Sequence, residues 1–459
     1  MKYIDTCHNL YIYITLIFMD TLFFFGKHRL WWNWELDVDW YPQWEEMIAT
    51  IHPARLTTYM NPYLANTVQK NKKNYRRDLF AEASSYNYLI QNITGQPYIQ
   101  SSASSSFTFG TIDLTNPDAR QWTRNVIRCN MLGDQNGCPT NVTAIRGAQS
   151  GFMSDFGEYL PWDAIVASGE PASTVHNKFP SLWAQTCREA IHEAELDNEV
   201  TFFSRSASAT SPTYSTLFWA GDQLTSWDAY DGMQSALSAI LSGGLSGMSM
   251  SHSDTGGYTE FRARIYNMLR TEEMLIRWME METFSGVMLR THPGLLPDLS
   301  AQVNTSLATL NATRLCSKLH ILLHPYRLLL MNQATNNGYP LVRYMFLEFP
   351  KDIQSWKVVT QFMLGDMFLV APIAKHKAHA RDVYLPPNTD WLHVFTHVAY
   401  QGGSGEVGKN VTMESPIGTP ILLQRMNYTS TTNGVAMKVA NAMHAYWKEE
   451  QLLLLSSQH

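Results

Sequence analysis

Charge is scarce in this chain, and neither sign dominates. Charged residues fill 16% of the 459 positions and the net charge is −6. Without a basic face to neutralise phosphates, nucleic acid is excluded as a partner. Cysteine is scarce too: Cys7, Cys129, Cys138, Cys187 and Cys316. None forms a CxxC pair, so a zinc site of that kind is not expected. Cys129 and Cys138 bracket a polar loop with Gly133, Asp134 and Gly137. In an oxidising compartment a disulfide would close that loop; in a reducing one both thiols stay free. There is no internal repeat and no low-complexity tract. Long apolar runs are missing as well. Leu10 to Phe25 is nearly all apolar, but it is short for a membrane span and Asp20 interrupts it. It reads as a signal peptide or anchor flanked by Lys2, with no small-x-small cleavage site before Gly26, or as the scar of a truncation. Membrane association is expected only if that segment is an anchor.

Apolar and aromatic residues are plentiful. Hydrophobic content is 45%, with 14 Trp, 22 Tyr and 20 Phe, enough for a large core. Most of these rings fill core; a few could stack against sugar rings. Asn-x-Ser/Thr sequons stand at Asn92, Asn141, Asn304, Asn311, Asn410 and Asn427. With the cysteine loop they tilt the expected location towards the secretory pathway, a lysosome or the cell exterior.

Strand-like runs alternate with helical ones. Arg55 to Met60 reads as a strand ended by Asn61-Pro62, and Asn116-Pro117 opens a helix from Asp118 to Cys129. Helices are expected over Ser181 to Glu195, over Asp231 to Ser242 with Gly243-Gly244 as the stop, over Glu260 to Met281, and over Leu319 to Thr335 with a kink or restart at Pro325. Strands are expected at Ala144 to Met153, Thr201 to Ser204, Ser215 to Ala220, Leu245 to Ser251, Gly286 to Leu289 and Leu341 to Phe346. Such alternation predicts βα units, a parallel sheet and a closed (β/α) barrel. Beyond Pro350 the runs at Phe368 to Pro372, Arg381 to Leu385, Trp391 to Phe395 and Ile421 to Leu423 predict a small antiparallel β domain. The expected organisation is a leader at 1–25, an α/β barrel at 26–355, the β domain at 356–430 and a tail at 431–459.

Functional residues of such a barrel gather at the C-terminal ends of its strands. Asp155, Asp222, Asp254 and His292 each follow a strand-like run, and each could instead be a structural cap. Asp155 and Asp222 are framed by Gly and aromatics. Paired carboxylates walled by rings suit glycosidic bond cleavage, one attacking or stabilising the sugar carbon and the other holding a proton. Arg29 stands in a Trp-dense segment, where its fork could bind an anion or merely stack at the rim. His252, Asp254 and His292 make a poor metal set without an i, i+4 pair, so no metal is expected.

Gly151 to Pro161 and Trp219 to Gln223 resemble the two catalytic signatures of glycoside hydrolase family 31. His252 to Tyr258 and Arg29 to Trp34 are similar to its sulfoquinovosidase branch, and Met363 to Pro372 resembles the entry into the family's C-terminal β domain. The resemblance runs from about Gly26 to Arg425. It implies a (β/α)8 TIM-type barrel and a retaining α-glycosidase acting on a small-molecule α-glycoside without a cofactor. Asp155 matches the nucleophile and Asp222 the acid/base. Arg29, Trp32 and Tyr258 match positions that hold a sulfonate, Arg205 an arginine near the acid/base, and His292 a histidine that contacts sugar hydroxyls. Retention requires the two carboxyl groups to lie about 5–5.5 Å apart. Pro293 stands where the family carries Glu. The family's N-terminal β-sandwich and an early strand have no counterpart before Arg29, so the barrel is expected to be incomplete at its N-terminus. The alternatives are a neutral-sugar α-glucosidase of the same family and a truncated, inactive homologue.

Overall fold

A computed structural model describes residues 32–38, 41–51, 54–66, 77–101, 107–134, 136–139, 144–145, 150–264 and 267–456. Arg29 and the apolar stretch 10–25 lie outside them. Among the described residues no helix is long and apolar enough to cross a membrane. The chain divides into two compact units, Met1–Phe218 and Trp219–His459.

In the first unit, strands Thr58–Met60, Gly151–Ser154 and Thr201–Ser204 lie parallel, Thr58 opposite Phe152 and Gly151 opposite Thr201. Leu217 and Phe218 extend the order beside Phe203 and Ser204. These strands are buried on both faces almost without a break, as a parallel sheet covered on both sides requires. Phe152 and Phe202, opposite each other in register, stack at 5.6 Å. A separate antiparallel sheet joins Tyr63–Ala65, Thr108–Thr111 and Ile99–Ser101.

Helix Pro117–Val126 opens where expected, its Asn116 cap accepting the N–H groups of Asp118 and Ala119. The helix expected over Ser181 to Glu195 is longer than the sequence suggested, running from Ala172 to Glu193 straight through Pro180. Proline deletes one hydrogen bond of the ladder, but Val175, Phe179, Trp183, Cys187 and Ile191 are all buried on this helix. That burial outweighs the local break. Arg120 and Arg124 pair with Glu189, and Arg124 also with Glu193, tying the two helices together. Cys129 and Cys138 are joined as a disulfide.

In the second unit, Ala220 donates to the carbonyl of His252 at the end of strand Ser251–His252, and Val287 donates to Ser251. Thr255 and Thr291 form a parallel bridge. Helix Met233–Leu245 does not stop at Gly243-Gly244 but passes through both. The reason for glycine is packing: a Cβ on Gly244 would meet the Pro340 ring at 2.9 Å. The expected helix from Glu260 is instead a short hairpin, Phe261–Arg262 with Asn267–Met268, followed by helix Glu272–Ser285. The Thr271 hydroxyl accepts the Met274 N–H there, with Glu272 and Glu273 in the first turn, a strong start signal inside the stretch read as continuous helix. Helices Leu307–Leu322 and His324–Asn337 meet at Leu323, so the restart at Pro325 holds.

The antiparallel region is a six-stranded sheet in the order Val342–Arg343, Phe362–Leu364, Phe368–Val370, Leu422–Arg425, Asp390–His393, Ala399–Gln401, plus a ribbon of Ala380–Leu385 with Lys409–Glu414. Val342–Arg343 pairs antiparallel with Phe362–Leu364, so it is not one of the parallel barrel strands. The tail forms helix Asn433–Ser456.

Candidate active site

Asp155 caps the C-terminal end of strand Gly151–Ser154, and its backbone N–H donates to Met60 on the neighbouring strand at 2.9 Å. The carboxyl is buried. Tyr59 donates its hydroxyl to Oδ2 at 2.6 Å, and Arg205 Nη1 stands 3.2 Å from Oδ1. Arg205 also grips Glu158, its Nε at 2.8 Å from Oε1, and its guanidinium lies over the Phe156 ring at 4.1 Å. Burial pushes the Asp155 carboxyl above its ordinary range, with Glu158 adding to the rise; Arg205, the Tyr59 hydroxyl and the Phe156 N–H pull the other way. Phe156 holds φ 58°, a left-handed backbone that costs a non-glycine residue free energy and turns the chain sharply after the carboxylate. Trp32 packs at 5.8 Å from Phe156, and also against Tyr63, Phe107 and Phe109. A side-on aromatic wall thus stands behind the Asp155 turn.

In the second unit Asp222 is exposed on the turn after Trp219. The Thr259 hydroxyl donates to its carbonyl at 3.0 Å, and the N–H groups of Tyr258 and Thr259 donate to Gln223. These bonds fasten the Asp222 turn to the Tyr258 loop. Gly257 permits the approach: its φ is +78°, and a Cβ would meet the Leu224 carbonyl oxygen at 2.9 Å. Tyr258 meets His292 edge to face at 4.4 Å. His292 is buried, and burial, then Arg290 and Arg270, push its pKa well down, so the ring is neutral. Gly294 donates its N–H to Nδ1 at 3.0 Å. The ring proton therefore sits on Nε2, which can donate to an oxygen. Pro293 is anchored by its carbonyl, which accepts from Arg270 at 3.1 Å and from Gln302 at 2.9 Å. Asp254 pairs with Arg290 in full burial, and Arg290 lies over Trp219 at 5.0 Å.

Of the residues singled out from sequence, the structure brings Asp155, Arg205 and Trp32 into one cluster and Asp222, Tyr258 and His292 into another. Arg29 lies outside the described residues. Asp254, a strand-end candidate, is the partner of Arg290. Among the described residues no group of His, Cys, Asp or Glu is arranged to hold a metal. Sequence reasoning missed Tyr59, Asn61 and Glu158. The signal for Tyr59 was present: it is a polar ring at the end of a parallel strand, just before Asn61-Pro62, where functional residues collect.

The profile of the glycosyl hydrolases family 31 TIM-barrel domain matches residues 1–327, and that of the glycosyl hydrolase family 31 C-terminal domain matches residues 338–428. The sulfoquinovosidase of Escherichia coli K12 is 34% identical over 403 residues, 87% of this chain and 54% of that protein. The sulfoquinovosidase of Agrobacterium fabrum is 31% identical over 400 residues, 86% of this chain and 55% of that protein. The chain thus spans about half the length of these relatives. A solved family 31 sulfoquinovosidase from E. rectale, in complex with the aza-sugar inhibitor IFGSQ, superposes with a TM-score of 0.77 at 30% identity, over 90% of this chain and 57% of that one.

Proposed function

The chain belongs to glycoside hydrolase family 31, and from that premise we propose that it is a retaining α-glycosidase whose substrates are α-sulfoquinovosides. The observation that carries the reading is Asp155. It is a carboxyl at the end of a parallel barrel strand, buried, yet met by Arg205 and Tyr59 on its two oxygens. A nucleophile must be ionised within an apolar wall, and those two partners support the ionised form. In this reading Asp155 attacks the anomeric carbon while Asp222 protonates the glycosidic oxygen; Asp222 then takes a proton from the water that releases the sugar. Two carboxyl groups suffice for this chemistry. His292 is suited to donate from Nε2 to a sugar hydroxyl.

The sulfonated substrate rests on similarity to the two sulfoquinovosidases and on Arg29, Trp32 and Tyr258. A sulfonate needs a cation that never deprotonates, and a neutral 6-hydroxyl would leave that arginine unsatisfied. The Cys129–Cys138 disulfide and the sequons support a site of action in an oxidising, secretory or extracellular compartment.

The test is turnover of nitrophenyl α-sulfoquinovoside and nitrophenyl α-glucoside by the wild type and by Asp155→Asn. The expected result is a preference for the sulfonated sugar on the order of 10⁴, and a loss of about 10³-fold or more in the variant. Turnover of the glucoside alone would favour the neutral-sugar reading. Normal folding without turnover of any α-glycoside would favour an inactive homologue.

A further inference from the structure

We propose that Tyr59 is a positioning residue for Asp155: a one-directional hydrogen-bond chain from the Tyr63 backbone through Asn61 aims its hydroxyl at Oδ2, leaving Oδ1 to attack. The proposal rests on the reading of Asp155 as the nucleophile and goes beyond it. Tyr63 donates its N–H to Asn61 Oδ1 at 3.0 Å. That bond fixes the amide, because the nitrogen end could not accept it. Asn61 Nδ2 therefore faces Tyr59 and donates to its hydroxyl oxygen at 3.0 Å. A phenol has one proton. With an N–H arriving at its oxygen, that proton points away from Asn61 and meets Asp155 Oδ2 at 2.6 Å. Asn61 is fully buried, so water does not compete for its amide. Each donor is backed by the next, and the chain runs in one direction only.

The two carboxylate oxygens are thereby made unequal. Oδ2 holds a short charge-assisted bond. Oδ1 stands 3.2 Å from Arg205 Nη1 without hydrogen-bond alignment to a described partner. In the first step a bond forms from Oδ1 to the anomeric carbon as the bond to the glycosidic oxygen breaks. That oxygen keeps the bonding pair and takes the proton of Asp222. Oδ2 becomes the carbonyl oxygen of the ester and loses its negative charge. In the second step water attacks the same carbon, its proton passes to Asp222, and the pair returns to the carboxylate. Charge reappears on Oδ2, where the Tyr59 hydroxyl receives it. The bond therefore favours the departure of the carboxylate, the step that frees the sugar. Burial raises the proton affinity of Asp155, and Arg205 and then the Tyr59 hydroxyl oppose it, so the same bond also favours the ionised form of the carboxyl.

The experiment compares the wild type, Tyr59→Phe and Asn61→Ala on nitrophenyl α-sulfoquinovoside. It reads kcat, KM and the pH profile, and adds labelling by a fluorinated sugar and a carboxyl ¹³C NMR titration of Asp155. Losing one hydrogen bond to a carboxylate should lower kcat in Tyr59→Phe by about ten- to a hundredfold. KM should fall with it as the glycosyl-enzyme accumulates. The acid limb of the profile and the NMR midpoint should both move to higher pH. Asn61→Ala should move each in the same direction by less, and it decides the matter should Tyr59→Phe not fold. Equal losses in kcat and kcat/KM, with an unmoved acid limb and midpoint, would overturn the proposal while leaving Asp155 as nucleophile. Wild-type enzyme that the fluorinated sugar labels at another residue, or does not label at all, would overturn both.

Discussion

Two aspartates at strand ends illustrate how environment, rather than residue type, sets the energetic sign of a carboxyl. Asp155 is buried beside partners that only partly offset its burial, so its pKa lies above the ordinary value. The folded state then holds this proton more tightly than the unfolded chain does. No cost is felt below the unfolded pKa of about 3.9; it grows as pH rises through the folded value and is complete above it. Asp155→Asn removes that cost and leaves Arg205 its second partner, Glu158, so it should raise Tm at neutral pH by a degree or so, at most about 1 kcal/mol, with the gain fading towards pH 4. Asp254→Asn should do the opposite. It would leave Arg290 buried without its carboxylate, which costs about 3–5 kcal/mol. Thermal melts of both variants at pH 4 and pH 7 check the contrast, and a fall in Tm for Asp155→Asn at pH 7 would contradict it. Asp155 could be singled out because it follows a compact strand-like run framed by glycine and aromatics, whereas Arg205 came only from the family resemblance, which set it near the acid/base, and the structure sets it beside Asp155. The place of Tyr59 at a strand end was visible as well, but its pairing with Asp155 was not, because that partner lies 96 residues away and no local spacing encodes such a pair.

Between single residues and the whole chain, the elements divide by what stops them. Strand runs such as Thr201–Ser204, Phe368–Val370 and Ala380–Leu385 were readable because their apolar content is dense and short. The helix read from Glu260 failed because Thr271 restarts the chain with its own cap, and a cap outranks a loose apolar periodicity. Gly243-Gly244 misled for a different reason. Glycine ends helices through its left-handed freedom, but here it is needed for proximity to Pro340. That difference is measurable. On propensity alone Gly244→Ala should stabilise the helix by about 1 kcal/mol. Against the rigid Pro340 ring, the added methyl should instead destabilise by about 1–3 kcal/mol. Chemical denaturation of Gly244→Ala decides between them, and Gly243→Ala is the control, since its nearest neighbour, Met248, is at 3.5 Å, ordinary contact.

At the scale of the molecule, the sequence suggested a barrel followed by a separate β domain, and the order of elements agrees. The sequence could not show that helices and antiparallel sheet of the second unit share one core. Leu237, Trp278, Phe284, Phe362, Phe368 and Leu422 belong to a single buried cluster. Polar bonds cross the same boundary. Arg277, paired with Glu280 at 2.8 Å, donates to the carbonyls of Ser415 at 2.7 Å and Ala378 at 3.1 Å, while Glu280 accepts the Gly418 N–H at 2.8 Å. Both charged side chains are almost wholly buried. Removing the sheet would strip two acceptors from a buried guanidinium and one donor from a buried carboxylate, and would expose the apolar face of helix Glu272–Ser285. Each large side chain so exposed forfeits about 1.5–3 kcal/mol, and a few of them exceed the whole stability of an ordinary domain. A chain ending at residue 340 should therefore fail to fold. It should be insoluble or lack near-ultraviolet circular dichroism, whereas a chain ending at residue 456 should keep both solubility and signal. A soluble, cooperatively melting 1–340 fragment would mean that the barrel elements close their core without the sheet, and that the shared cluster adds packing rather than foldability.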